Sequence, residues 1–301
     1  MINIQNLDFS YQKGEKIIHD LSFEVPRNSL FGFLGANGSG KTTVIRLMLK
    51  LCKPSAGEVF IQNKKISSTT KGLYKNIGTL IEEPTFYGHL SAYDNLKLLA
   101  NFYDVDKNRM EEVLDLVGLL GAKDKKTNKY SLGMKQRLGI AISILHDPEI
   151  LILDEPLNGL DPKGIAEIRN LFLKFHQEDK KTIFISSHLL NEIENTCNHV
   201  CIIEKGKKLF TGKIEQLKSQ LTKGETYTIK CKGAESAKNI LKARLDLDSF
   251  LVDSSTLTVE VNSKDEIPIL IKVLVNDDIK LFEVSRNESN LESLYLQLTG
   301  Q

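Results

Sequence analysis

The fold of this 301-residue chain follows from one segment, Leu30-Phe-Gly-Phe-Leu-Gly-Ala-Asn-Gly-Ser-Gly-Lys-Thr42. Its apolar start is typical of a buried strand, and a glycine-rich turn then leads into Thr42-Thr-Val-Ile-Arg-Leu-Met-Leu-Lys50, whose spacing predicts a helix. Strand, glycine loop and helix in this order let consecutive backbone N–H groups curl around a phosphate at a helix N-terminus. The segment therefore predicts a phosphate-binding loop (P-loop), with a plain glycine turn as the alternative.

The loop contains the residue types that hold a nucleoside triphosphate. Lys41 is expected to reach the β- and γ-phosphates, the Thr42 hydroxyl to ligate Mg²⁺, and Thr43 to bond a further phosphate oxygen. The predicted phosphate-binding residues are Gly35, Ala36, Asn37, Gly38, Ser39, Gly40, Lys41, Thr42 and Thr43.

A second segment, Leu151-Ile-Leu-Asp154-Glu155, places two carboxylates at the end of an apolar strand. At the carboxyl edge of a parallel sheet they would emerge beside the phosphate loop. We expect Asp154 to hold Mg²⁺, directly or through water, and Glu155 to act as the general base that polarises the attacking water. Taken alone, such an acidic pair could also serve as an ordinary helix cap.

The amino-acid composition limits the classes of binding partner and the cellular compartment that we expect for this chain. The 40 basic and 39 acidic residues leave a net charge of +1, so no nucleic-acid partner is expected. No apolar run reaches the roughly 18 residues of a membrane span, and Met1-Ile-Asn-Ile-Gln-Asn does not resemble a signal peptide. Cys197 and Cys201 could share a helix face, but a buried structural role is favoured over metal binding. We expect a reduced, cytoplasmic chain that does not span a membrane by itself.

The periodicity of the sequence predicts an α/β core with inserted helices. Strand-like alternation at the N-terminus precedes the phosphate loop, a helical pattern follows at about 86–148, and apolar strands then resume. Those strands are Ile150-Leu-Ile-Leu, Thr182-Ile-Phe-Ile and Val200-Cys-Ile-Ile, alternating with helical stretches as a mostly parallel sheet requires. We predict a nucleotide-binding domain over 1–217 with a helical subdomain at about 86–148.

The remaining residues, 218–301, predict a small α+β domain. Strands are indicated near Tyr227-Thr-Ile-Lys and Leu257-Thr-Val-Glu-Val, and helices near Ser236 to Leu245 and Pro268 to Val275. The final segment, Asn290-Leu-Glu-Ser-Leu-Tyr-Leu-Gln-Leu-Thr-Gly, is amphipathic; packing within the tail is favoured, and a regulatory or dimer-stabilising role is the alternative.

Further segments resemble one family of P-loop NTPases. Ser131-Leu-Gly-Met-Lys-Gln-Arg is similar to the signature of ATP-binding cassette (ABC) ATPases, usually written LSGGQ. Asn158-Gly-Leu-Asp161 resembles the D-loop, and Ser186-Ser-His188 resembles the switch region with its histidine. Tyr11 occupies the place of the A-loop aromatic residue that stacks on adenine. Each fragment alone has a plain structural explanation, but their order and spacing over residues 1 to 215 match the ABC family.

This resemblance implies ATP and Mg²⁺ as cofactors and a head-to-tail pair of nucleotide domains. ATP would lie between the phosphate loop of one copy and Ser131 and Gly133 of the other. Loss of the γ-phosphate would then loosen the pair. The signature departs from the family pattern at Leu132, where glycine is usual. The residues assigned to hydrolysis are Lys41, Glu155 and His188.

A second departure lies in Ile77-Gly-Thr-Leu-Ile-Glu82-Glu83-Pro84, where Glu82 stands at the family's usual glutamine. In the family this loop senses Mg²⁺ and contacts the membrane partner. A carboxylate only accepts hydrogen bonds and ligates Mg²⁺ more strongly than an amide. Our hypothesis is that Glu82 tunes metal dependence and coupling, which gives a predicted metal set of Thr42, Asp154 and Glu82.

The stretch Leu80 to Leu96, with its glutamate for glutamine, resembles the ABC branch that protects bacteria from bacitracin or lantibiotics. That resemblance implies an ATPase subunit on the inner face of the cell membrane, bound to an integral membrane permease that exports a peptide antibiotic or a related amphiphile. One alternative is a soluble ABC ATPase of DNA repair or the ribosome, although such members carry a long coiled coil or two nucleotide domains. Another is a protein that holds ATP without turnover.

Overall fold

The computed structural model describes residues 1–11, 14–66, 72–82, 84–221, 225–287 and 291–299. The chain divides into two compact units, Met1–Ile214 with Leu298–Gln301, and Glu215–Gln297. Each of the two has its own hydrophobic core.

The first unit alternates strands and helices. Its described strands are β1 (Ile2–Ser10), β2 (Lys16–Val25), β3 (Leu30–Leu34), β4 (Ala56–Ile61), β5 (Lys64–Lys65), β6 (Ile77–Leu80), β7 (Ile150–Asp154), β8 (Thr182–Ser187), β9 (His199–Glu204) and β10 (Lys207–Lys213). Its described helices are α1 (Lys41–Met48), α2 (Ala92–Tyr103), α3 (Lys107–Leu116), α4 (Leu132–Ile144), α5 (Pro162–Gln177) and α6 (Leu190–Thr196), with short 3₁₀ turns at Leu73–Asn76, Leu120–Ala122 and Thr127–Lys129.

Two sheets build this unit. The larger has the order β10-β9-β3-β8-β7-β6 and is parallel except for β10. The smaller, β2-β1-β4-β5, is antiparallel. Strands β3, β7 and β8 are buried along their whole length, because elements cover both faces of the parallel sheet. The predicted α/β nucleotide-domain fold is confirmed.

A stack of phenylalanine rings joins the two sheets. Phe23 of β2 lies 5.3 Å from Phe33 of β3 between ring centroids, and Phe33 lies 5.3 Å from Phe184 of β8. Phe31, two residues before Phe33, points to the same side and stacks on Phe184. The opposite side of β3 carries Gly32, where an added Cβ would come 2.5 Å from Ile193 of α6, so only glycine lets that helix pack against the strand.

The inserted helices α2, α3 and α4 occupy the chain between β6 and β7. Each begins at a polar residue whose side chain accepts a hydrogen bond from the third residue after it: Ser91, Asp106 and Ser131. These caps explain why the helices begin where they do. Among the described residues, no helix combines the length and apolarity that a membrane span requires.

The second unit contains more strands than the sequence predicted. Its described elements are β11 (Glu225–Cys231), α8 (Ala234–Leu245), β12 (Ser249–Leu251), β13 (Thr256–Val261), α9 (Glu266–Asn276) and β14 (Leu281–Asn287), together with most of α7 (Ile214–Leu221) and α10 (Leu291–Thr299). The antiparallel sheet order β12-β13-β11-β14 with α8 and α9 is a ferredoxin-like βαββαβ arrangement. β11, β13, α8 and α9 lie at the predicted positions; β12 and β14 were not predicted.

The cysteines are free thiols: Cys52, Cys197, Cys201 and Cys231. Cys197 and Cys201 are buried, and burial raises the pKa of both thiols. In the part of the chain that the structure describes, no cluster of three or more His, Cys, Asp or Glu side chains could hold a metal ion.

The phenylalanine stack generates a stability prediction. Phe184→Ala should lower the free energy of unfolding of the first unit by about 3–5 kcal/mol, because a large buried ring leaves a cavity. Phe102→Ala on α2 is the matched control, since Phe102 is 73% exposed, and it should change that free energy by less than about 0.5 kcal/mol. Urea denaturation followed by circular dichroism measures both; equal losses would contradict the stack's role.

Candidate functional site

The predicted functional segments meet at the carboxyl edge of the parallel sheet. The phosphate loop follows β3, Asp154 ends β7, and His188 follows β8. In the strand register Asp154 lies opposite Ser186, and Leu34, the last residue before the loop, lies opposite Ser187. The phosphate loop, the Asp154 and Glu155 carboxylates and His188 therefore lie together, because they lie at or just after the ends of the neighbouring strands β3, β7 and β8.

The phosphate loop has the backbone shape that its glycines permit. Gly40 caps α1 with φ of 105°, a left-handed conformation that favours glycine. At Gly35 an added Cβ would come 2.4 Å from the Ser39 hydroxyl and 2.6 Å from the Ile203 carbonyl. The crest of the loop, 36–38, is exposed. The loop thus presents main chain to solvent at the start of a helix, where an anion is favoured.

Lys41 is folded back into the loop and is 6% exposed. Its Nζ donates to the Gly35 carbonyl at 2.7 Å and to the Ala36 carbonyl at 3.3 Å. The same Nζ lies 3.4 Å from Oε1 of Glu155. The ammonium therefore lies between the phosphate loop and the carboxylate that was predicted to be the general base.

Thr42, Asp154 and Ser186 form a cluster of oxygen atoms, in which Asp154 and Ser186 are buried and Thr42 is half-buried. The Thr42 hydroxyl donates to Oδ2 of Asp154 at 2.7 Å, and the Ser186 hydroxyl donates to Oδ1. Asp154 is 2% exposed. A hydroxyl beside a carboxylate is the hard-oxygen donor set that Mg²⁺ prefers. The Ser39 hydroxyl is buried in the loop and has no hydrogen-bond partner among the described residues, which fits a loop built for a polar ligand.

Glu155 directs its carboxylate between a lysine and a histidine. Oε2 lies 3.0 Å from Nδ1 of His188, while Oε1 faces Lys41. The backbone of Glu155 is left-handed, with φ of 47°. Its N–H is fixed by Ser186, through the hydroxyl at 3.0 Å and the carbonyl at 3.2 Å. The arrangement orients a carboxylate oxygen for proton transfer.

Tyr11 and Glu82 are connected through Arg46 of α1. Arg46 donates to the Tyr11 hydroxyl at 3.1 Å and forms an ion pair with Glu82. The hydrogen bond to Tyr11 raises the pKa of the Arg46 guanidinium, and the charge of Glu82 acts in the same direction. The Tyr11 hydroxyl also lies 3.3 Å from Thr43 Oγ1, and the ring is 51% exposed. Among the described contacts, Glu82 pairs with Arg46 and not with the oxygen cluster at Asp154.

The signature segment lies at the exposed N-terminus of α4. Ser131 caps the helix, accepting from the Met134 N–H at 3.2 Å. Leu132, the departure from the family pattern, packs over the 158–161 turn: a Cβ added to Gly159 would come 2.6 Å from Cδ2 of Leu132. Within the described residues, no hydrogen bond joins Ser131 or Gly133 to the phosphate loop of the same chain.

The structure adds site residues that sequence reasoning did not assign. Ser186 holds Asp154 and Glu155, Arg46 joins Tyr11 to Glu82, and Gln136 donates to the Glu155 carbonyl at 3.0 Å. Ser186 and Gln136 lie inside segments that the family resemblance had already marked. Arg46 comes three residues after Thr43, a helical spacing that places both on one face.

A phosphate loop, a strand-end aspartate that accepts from the threonine of that loop, and an adjoining glutamate beside a histidine define a nucleoside triphosphatase of the P-loop class. A family model described as "ABC transporter" matches residues 18–158. Over nearly the full chain, the bacitracin transport ATP-binding protein BcrA of Bacillus licheniformis is 37% identical over 299 residues, covering 99% of this chain and 97% of that protein. The chain belongs to the ABC transporter ATP-binding family and is an ATP-binding ATPase.

Other relatives agree with this family. An uncharacterized ABC transporter ATP-binding protein of Bacillus subtilis, YhcH, is 40% identical over 96% of this chain and 93% of that protein. The lantibiotic transport ATP-binding protein SrtF of Streptococcus pyogenes is 39% identical over 69% of this chain and 88% of that protein. Among solved structures, the dimeric post-hydrolysis state of the cassette MJ0796 with ADP and Pi has a TM-score of 0.66 at 26% identity, covering 71% of this chain and 99% of that chain.

The cluster at Asp154 generates a second prediction. Ser186→Ala removes a hydroxyl that serves a buried carboxylate, so the free energy of unfolding should fall by about 1.5–3 kcal/mol. Ser187→Ala is the matched control, because Ser187 is buried but its hydroxyl accepts only from the neutral Leu189 N–H; it should cost about 0.5–1.5 kcal/mol. Urea denaturation compares the two, and a larger loss for Ser187→Ala would show that the carboxylate does not depend on Ser186.

Proposed function

We propose that this chain is the ATPase subunit of an exporter: it hydrolyses ATP between two copies of itself and thereby drives a separate integral membrane permease. The observation that carries the proposal is the Lys41–Glu155–His188 arrangement beside the phosphate loop, in a chain that resembles a bacitracin transport ATP-binding protein over its whole length. On this basis the chain works at the inner face of the cell membrane.

Hydrolysis assigns a separate task to each side chain. Lys41 exchanges its loop carbonyls and Glu155 for the β- and γ-phosphate oxygens. Glu155 then accepts a proton from the attacking water as the new O–P bond forms at the γ-phosphorus, and the bond to the β-phosphate oxygen breaks to give ADP and phosphate. His188, 3.0 Å from Glu155, holds the carboxylate in place. Tyr11, exposed beside the loop, offers its ring to adenine.

The oxygen cluster fits a magnesium ion. When bound, Mg²⁺ would neutralise charge on the β- and γ-phosphates, held by Thr42 and Asp154. For Glu82 to act on that ion it must give up its ion pair with Arg46. Because Arg46 and Glu82 are both partly exposed, with 34% and 53% of their side-chain surfaces accessible, this pair is weak enough to be exchanged.

The exposed start of α4 supports a head-to-tail dimer. Ser131, Leu132 and the 36–38 crest of the phosphate loop are exposed in a single copy. The Ser131 hydroxyl, the amides of the first turn around Gly133 and the positive end of the helix suit a γ-phosphate. A second copy would bring them to the ATP on this chain's phosphate loop, and loss of the γ-phosphate would weaken that contact.

The cargo and the partner follow from the named relatives. BcrA and SrtF are named for bacitracin and lantibiotic transport, and we extend this to a peptide antibiotic or a related amphiphile moved by a permease. The alternative of a soluble ABC ATPase acting on nucleic acid or the ribosome gains no support from these relatives. A net charge of +1 also argues against a nucleic-acid partner.

The Glu155→Gln variant tests this proposal. Without the base, the variant should bind ATP but not turn it over, so it should form a stable dimer with ATP and retain a multi-span membrane protein in a pull-down from native membranes. Size-exclusion chromatography and identification of the bound proteins measure the two outcomes. Glu178→Gln, an exposed carboxylate at the end of α5, is the control and should retain turnover. Recovery of ribosomes or DNA-repair factors would overturn the transport proposal.

Glu82 has a test of its own. Glu82→Gln should raise the Mg²⁺ concentration needed for half-maximal ATPase activity severalfold, because an amide is a weaker ligand than a carboxylate. Glu58→Gln is the matched control, since Glu58 forms a comparable exposed ion pair with Lys65. If the Mg²⁺ titration and transport are both unchanged in Glu82→Gln, Glu82 has no role in metal dependence or coupling.

A further inference from the structure

Gln136 of α4 is buried, with 5% of its surface exposed, and its side-chain amide acts on the residue that bears the catalytic carboxylate. Its Nε2 donates to the main-chain carbonyl of Glu155 at 3.0 Å. The same carbonyl accepts from the Asn158 N–H at 3.2 Å. Gln136 therefore lies at the junction between the catalytic carboxylate and the turn 158–161.

The main chain of Glu155 needs such support. Its left-handed φ of 47° is disfavoured for a residue with a Cβ and persists only where neighbouring groups hold it. Ser186 holds the N–H side, through its hydroxyl and its carbonyl. Gln136 holds the carbonyl side from a different element. A change in either changes the direction of the Glu155 carboxylate.

Helix α4 carries Gln136 between two other close contacts. Before it, Leu132 and Gly133 pack on Gly159, where an added Cβ on Gly133 would come 3.0 Å from the Gly159 carbonyl. After it, Gly139 packs closely on the end of β6: its added Cβ would come 2.7 Å from Leu80 and 2.8 Å from Pro84. A displacement of the N-terminus of α4 is therefore passed to Gln136 and to the main chain of Glu155.

We infer that Gln136 is a positioning residue that couples the N-terminus of α4 to the catalytic carboxylate of the same chain. The inference rests on the proposed head-to-tail dimer, in which the start of α4 faces the ATP of the other copy. Gln136 then makes hydrolysis at one site depend on ATP at the second. The ligand at the start of α4 is a nucleoside triphosphate, recognised through its γ-phosphate.

Gln136→Met keeps the length of the side chain and removes the donor. Because only the carboxylate is misplaced, kcat should fall by about tenfold to a hundredfold while KM for ATP stays within a factor of about three. Ser143→Ala is the matched control: Ser143 is buried on the same helix, but its hydroxyl bonds only to Ile140 of α4, and kcat should be unchanged. If Gln136→Met has the same kcat as the wild-type protein, the inference is wrong. It is also wrong if Ser143→Ala lowers kcat as much as Gln136→Met does.

A pH profile separates positioning from simple packing. In Gln136→Glu a carboxylate cannot donate to the Glu155 carbonyl, whereas the protonated acid can. The ratio of the Gln136→Glu kcat to the wild-type kcat should therefore rise as the pH is lowered, and at the acidic end it should exceed the ratio for Gln136→Met. If the kcat ratio of Gln136→Glu stays as low as that of Gln136→Met at every pH, the hydrogen bond donated by Gln136 has no role in positioning Glu155.

Coupling between the sites has its own readout. The ATP dependence of wild-type hydrolysis should be sigmoidal, and the Hill coefficient should fall towards one in Gln136→Met. A hyperbolic wild-type curve, or a Hill coefficient that Gln136→Met leaves unchanged, overturns the coupling.

The Glu155→Gln/Gln136→Met double variant should still dimerise with ATP. If Glu155→Gln alone does not dimerise, the proposed dimer fails, and the kcat of Gln136→Met still decides the positioning role.

Discussion

The carboxylate of Asp154 is 2% exposed, and a charge removed from water to this extent requires polar partners. Its partners are the hydroxyls of Thr42 and Ser186, which come from the ends of two other segments of the parallel-sheet edge. The hydrogen bonds to this one buried carboxylate thus hold α1, β7 and β8 together at the site. The positions of Lys41 and Glu155 depend on this cluster, since each directly adjoins one of its members in the chain.

The second feature on which the site depends is α4. This helix makes three close contacts along one side: to the 158–161 turn, to Glu155 and to the end of β6. A shift of the helix at one of these contacts therefore also displaces atoms at the other two. Close packing transmits such displacements because interiors are dense and poorly compressible. The leucine at 132 adds a side chain to the first of these contacts, where the family's usual glycine would leave only main chain. In this chain the signature and the D-loop are therefore joined by apolar packing.

The sequence predicted the phosphate loop, the acidic strand and the α/β core because these depend on local patterns. A strand, a glycine turn and a helix have composition signals, and the charged and hydroxyl residues sit at fixed distances within them. The strands β12 and β14 were missed since β12 is three residues long and β14 is interrupted by Glu283 and Arg286. The Arg46–Glu82 pair and the Gln136–Glu155 bond join residues 36 and 19 positions apart. No local pattern records such distant contacts.

The lysine of the phosphate loop already has protein partners, two carbonyls and the Glu155 carboxylate. In the proposed role of Lys41, nucleotide binding is an exchange of partners, and the free energy of the broken contacts is subtracted from the affinity for any phosphate ligand. On that proposal the same contacts would re-form as the nucleotide leaves, so the protein itself would compete with ADP for the binding site. An enzyme that must release ADP in every cycle gains speed from such competition, because tight product binding would otherwise limit its turnover.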